Sequence, residues 1–76
     1  MIVGIKYKKK DGDYKGNIYY FRSKYILHLG DRVLIPTANG NTEGQVFVIV
    51  PKEEEPQYVS REVSLPLSEV IAKVED

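Results

Sequence analysis

The strongest constraint on this chain is the way its apolar residues alternate in short runs that glycine, proline and asparagine repeatedly interrupt. From Ile2 to Lys8, Val3, Ile5 and Tyr7 fall on one side of an extended backbone and Gly4, Lys6 and Lys8 on the other. A period of two is the signature of a half-buried strand. Asp11-Gly12 marks a turn within the polar stretch from Lys8 to Gly16, which reads as a hairpin loop with a basic rim. Asn17 to Arg22 is rich in strand-forming aromatics and apolar on both faces. After the turn at Gly30-Asp31, Val33 and Ile35 should point inward, and Pro36, lacking an N–H, ends that strand or sits at its edge.

Asn39-Gly40 is a strong hairpin signal. Gly44 to Val50 then reads as a nearly continuous apolar strand, with Val46, Val48 and Val50 on one face and Phe47 and Ile49 on the other. Lys52 to Gln57, with Glu53, Glu54 and Glu55, reads as a solvated acidic loop. Leu67, Val70, Ile71 and Val74 have helical spacing, and Pro66 could open a helix, yet three of the four are β-branched. The expectation is a short helical turn near Leu67–Glu69, followed by a closing strand from Val70 to Val74.

Seventy-six residues make one domain, spanning 1–76, with a core near the lower limit for independent folding. A small barrel of about five strands suits this length, because closure removes the exposed edges of a lone sheet. The expected fold is therefore mostly β, an SH3-like barrel whose core includes Val3, Ile5, Val33, Ile35, Val46, Val48 and Val74. With no cysteine, neither a disulfide nor a thiolate metal site can reinforce it. Self-association or a bound partner is a reasonable expectation for so small a core. No apolar run nears the roughly 20 residues a membrane span needs, and Met1 to Lys10 lacks the order of a signal peptide. A cytoplasmic protein without membrane contact is expected.

The sequence carries no recognisable catalytic constellation. His28 is the single histidine, so neither a zinc ligand set nor a nucleophile–base pair is indicated. Gly40 to Gly44 lacks the Gly-Lys-Ser/Thr ending and the helix of a phosphate loop. The sequence reads as a non-enzyme with no cofactor.

Charge is unevenly distributed despite a net of zero. Up to Ile35, eight basic residues face three acidic ones, a net of +5, and the remainder carries the opposite balance. Such asymmetry can mark a polyanion-facing side, or neighbouring strands can simply pair opposite charges. Aromatic rings interleave with this basic half, a combination that small barrels use to hold single-stranded nucleic acid. The candidate nucleic-acid-binding residues are Lys8, Lys9, Lys10, Tyr14, Lys15, Tyr20, Arg22 and Lys24, with Tyr14 and Tyr20 as stacking platforms. A protein-interaction or scaffolding module, a homo-oligomer included, is the alternative, using the apolar strands around Tyr19–Phe21 and Phe47–Ile49. Core filling by these same rings is a third account of them.

The order of Ile2–Tyr7, Tyr19-Tyr20-Phe21, Gly30-Asp31-Arg32-Val33, Gly44-Gln45-Val46 and Pro66-Leu67-Ser68-Glu69-Val70-Ile71 resembles the opening barrel of polymerase-suppressor (PSP-type) domains. That resemblance implies regulatory or scaffolding roles, some around RNA processing, with no catalytic residues. Longer members of that family continue further, so it also implies a stand-alone or mobile-element version of the barrel. The chain is similar, too, to the N-terminal DNA-binding barrel of primosomal helicases, whose Phe-Asp-Tyr helps hold a DNA 3′ end. Aligning Gly30-Asp31-Arg32-Val33 puts Tyr19 on that tyrosine, while Asn17 and Ile18 replace the other two residues.

Overall fold

A computed structural model describes residues 1–61 and 68–74. Five strands, β1 (Ile2–Tyr7), β2 (Tyr19–Arg22), β3 (Arg32–Thr37), β4 (Gly40–Ile49) and β5 (Ala72–Lys73), form one antiparallel sheet in the order β2-β1-β4-β3-β5. The alternation in β1 sets the inner face. Val3 pairs with Phe21 and Ile49, and Ile5 with Tyr19 and Val46. Val3, Ile5, Phe21, Leu27, Val33, Ile35, Val46 and Val70 form the buried core, with Tyr7, Tyr25 and Ile49 packed against it.

Val48 and Val74, expected in the core, are only half-buried. The cause at Val48 is a β-bulge. Gly4 pairs with Val48 but Ile5 with Val46, so Phe47 is an extra residue that shifts the alternation and brings Ile49, rather than Val48, inward. Phe47 is left on the surface, where the Lys6 ammonium lies 4.7 Å from its ring centroid. Val48 instead belongs to the outer face, beside Gly4. A Cβ on Gly4 would stand 2.7 Å from Ile18 Cγ2, 3.0 Å from Val48 Cβ and 3.1 Å from Tyr20 Cε1, so this face is also closely packed.

The acidic stretch is helical rather than a loop. A 3₁₀ turn, Lys52–Glu54, runs into α1, Glu55–Arg61. Carboxylates at a helix N-terminus favour its positive end, and Pro56 in the first turn forfeits no intrahelical bond. The same residues that suggested a solvated loop therefore suit a helix start. Tyr58 on α1 packs against Tyr20 with ring centroids 4.7 Å apart, tying the helix to the outer face of β2.

Pro66 and Leu67 lie outside the described residues. Glu69, placed in a helical turn by the sequence reading, instead makes a parallel bridge with Arg22. The backbone N–H of Arg22 donates to Ser68 and that of Val70 to Arg22, whereas those of Ile71 and Val74 donate to Leu34 and Arg32. The segment thus passes from β2 to β3, with Val70 only 2 % exposed between them. The regular closing strand is shorter than expected, since it covers Ala72–Lys73 alone. Pro36 sits inside β3, but β5 pairs only with Val33 and Leu34, so no donor is needed on that side of Pro36.

Candidate functional site

The inward row Val3, Ile5, Tyr7 runs along β1 from the core to an open end. There, β1 meets the hairpin joining β3 to β4. The turn is tightened by Thr37, whose hydroxyl donates to the Gly40 carbonyl at 2.5 Å and accepts the Asn39 N–H. Gly40, at φ +108°, takes the left-handed conformation the turn requires. Between the two elements lies a shallow groove of about 340 Å³ lined by Tyr7, Lys8, Lys9, Thr37, Asn39, Asn41 and Thr42. Tyr7 stacks on Tyr19 with centroids 4.7 Å apart and planes 23° from parallel. Tyr19 is 44 % exposed. Burial, then the neighbouring Tyr19, raises the Tyr7 phenol above its ordinary value, so the ring is neutral through the physiological range.

Lys8, Lys9, Lys10, Tyr14 and Lys15 all belong to the hairpin loop after β1. Lys8 and Tyr14 pair across it, Lys9 and Gly12 close it by backbone bonds, and Gly12 at φ +90° turns the chain. The four lysines are exposed. Lys15 is bound to Asp11 at 2.6 Å, whereas Lys9 and Lys10 pair with no carboxylate among the described residues. Tyr14 is half-buried and donates its hydroxyl to Glu43. Burial and then that hydrogen bond raise its phenol above the ordinary value. Its ring is committed to the loop's anchorage.

Glu43 was not singled out by the sequence, yet it joins three elements. Its carboxylate accepts from Tyr14, lies 4.0 Å from the Lys8 ammonium and lies 3.9 Å from Arg32 of β3. Its backbone carbonyl also accepts the Lys8 N–H at 3.0 Å. The charge asymmetry of the sequence is met in part by these pairs, since Lys8 and Arg32 belong to the basic half and Glu43 to the acidic one.

The remaining candidates lie elsewhere. Tyr20 is on the outer face against Tyr58. Arg22 pairs with Ile2 at the opposite end of β1, roughly 20 Å from Lys8 at the usual rise per strand residue. Arg22 and Lys24 line a second cleft, of about 400 Å³, together with Met1, Ile2, Ser23, Glu55 and Glu69. Its charge is mixed, unlike that of the groove. The structure therefore gathers Lys8 and Lys9 with Tyr7, on which Tyr19 stacks, and separates them from Tyr20, Arg22 and Lys24.

Tyr7, Tyr19, Thr37, Asn39, Asn41 and Thr42 were absent from the sequence-based site. The alternation that put Tyr7 on the inner face was visible, but its pairing with Gly44 some distance along the chain was not. Among the described residues, no three His, Cys, Asp or Glu side chains are placed to hold a metal ion, and no helix is long and apolar enough to cross a membrane. Comparison with known proteins matches this chain to no family model, no curated protein and no solved structure.

Proposed function

We propose that this chain is a non-catalytic binding module, an SH3-like small barrel that holds a single strand of nucleic acid across its open end. The barrel reading draws on the 68–74 segment, whose backbone bonds to both β2 and β3 would join the two margins of the sheet. The functional reading draws on one observation above all. The groove brings Tyr7, Lys8 and Lys9, the last with no carboxylate partner among the described residues, into one concave place with the hydroxyl and amide groups of the β3–β4 hairpin, and the exposed Tyr19 stacks on Tyr7 beside it. Aromatic faces stack on bases of any sequence, ammonium groups follow the phosphates, and neutral polar groups can meet base edges or sugars.

A second reading, a protein-interaction or scaffolding module, draws on Ile26 and Leu29, which are 80 % and 67 % exposed in the loop between β2 and β3. The apolar strands first offered for that role are largely occupied, because Phe21 and Ile49 pack in or against the core and Tyr20 against Tyr58. Titration of fluorescent single-stranded DNA and RNA at two salt concentrations, beside a sizing measurement, separates the two. Phosphate contacts release counterions, so nucleic-acid affinity should fall with a log–log slope of about −0.7 per contact. The combined Lys8→Glu and Lys9→Glu changes should abolish that binding. No binding at low salt, together with a dimer on sizing, would favour the second reading.

A further inference from the structure

We infer that Glu43 is an internal competitor for the strand, a carboxylate that occupies Lys8 and must release it when a phosphate binds. This rests on the nucleic-acid reading of the groove and names a residue that sets its affinity. Alternation along β4 explains the position. Thr42 pairs with Ile35 on the inner face, where it lines the groove, so Glu43, opposite Leu34, stands on the outer face just behind the rim. Lys8 is the lysine common to both sides, since it lines the groove and its ammonium lies 4.0 Å from the Glu43 carboxylate.

The distance and exposure make this a contact that can exchange. A separation of 4.0 Å is at the outer limit of an ion pair, and the Lys8 side chain is 44 % exposed. An exposed pair of that kind contributes little and is easily replaced. The carboxylate itself is better fixed. It is 24 % exposed and held by Tyr14 and by Arg32, so the flexible partner is the lysine. A phosphate entering the groove offers Lys8 another anion at the cost of a weak one already present. Glu43 thereby lowers affinity and confines tight binding to ligands with a phosphate at the rim.

The test compares Glu43→Gln with Glu54→Gln, a change of equal charge on the exposed 3₁₀ turn, using a short fluorescent oligo-thymidine. Glutamine retains an acceptor for Tyr14, and the thermal midpoint of each variant checks that the fold is kept. Glu43→Gln should bind roughly two- to fivefold more tightly than Glu54→Gln, the scale of one exposed ion pair. Its salt slope should steepen by about 0.7, as for one added phosphate contact. In a Lys8→Met background, the extra gain should disappear. Binding by the unaltered chain with equal gains from the two glutamines would overturn this inference while leaving the nucleic-acid reading intact. Persistence of the full gain without Lys8 would overturn it as well. Absence of binding by both the unaltered chain and Glu43→Gln would overturn both.

Discussion

The two ends of β1 are built from different materials. At the Ile2–Gly4 end, Val3 is fully buried, Phe21, Leu27 and Val70 are at most 4 % exposed, and the chain start is tied down. The Met1 ammonium donates to the Ser23 carbonyl at 3.2 Å, while Ser23 and Val50 donate their N–H groups to Met1 and Ile2. At the Tyr7–Lys8 end, the same inner row emerges between two glycine-bearing turns, and its last ring is only half-buried beside a groove. One strand thus carries the core at one end and presents a surface at the other. The proposed binding groove would share its strand with the core, as a domain this small favours.

That division predicts which changes act on stability and which on binding. The largest effect should come from Leu27→Ala, which removes a side chain only 1 % exposed at the Ile2–Gly4 end, where the Leu27 N–H meets Met1. Such truncations cost about 2–5 kcal/mol, against a total near 3–5 kcal/mol for a core of this size. Urea unfolding should find the variant largely unfolded or barely stable. A loss below about 1 kcal/mol would mean that this end does not carry the core.

Tyr19→Ala should show the reverse pattern. Loss of an exposed stacking ring lowers affinity by about 1–3 kcal/mol per base, read as a weaker oligo-thymidine titration, with a smaller shift in the unfolding midpoint. Equal losses in both measurements would show that the ring serves the core rather than the groove.

Part of this division was legible in the sequence. Alternation alone located β1 and the inward positions Val3, Ile5, Val33, Ile35 and Val46. It failed at Val48 because a single bulged residue, Phe47, inverts every later side chain on the strand. The helix was missed because Glu53 to Glu55 and Pro56 suit both a solvated loop and a helix start. Only the docking of Tyr58 on Tyr20, set by tertiary packing, distinguishes the two. The loop lysines were recognisable as an exposed basic rim. Their separation from Arg22 and Lys24, and their proximity to Thr42 and Glu43, follow from the pairing of β1 with both β2 and β4, which local patterns do not encode.

The smallest effect concerns the turn before β3. Asp31 accepts the His28 N–H at 2.8 Å and faces the Lys73 and His28 side chains. The backbone hydrogen bond first, and then Lys73, holds its carboxyl below the ordinary value. A carboxyl that is more acidic in the folded state adds stability above its unfolded pKa and loses it as the pH falls through the folded one. Asp31→Asn should therefore lower the midpoint slightly at neutral pH, and the gap from the unaltered chain should close below about pH 4. A gap independent of pH would assign the effect to turn geometry instead of charge.

Amide chemical shifts of the ¹⁵N-labelled chain, followed during addition of a short oligo-thymidine at low salt, test the division of labour most directly. The expected result is a set of perturbations confined to Tyr7 to Lys10, Tyr19 and the Thr37–Thr42 hairpin, with Ile2 and Arg22 to Lys24 unmoved. Perturbations centred on Arg22 and Lys24, or none at saturating oligonucleotide, would contradict a binding groove at the open end of β1.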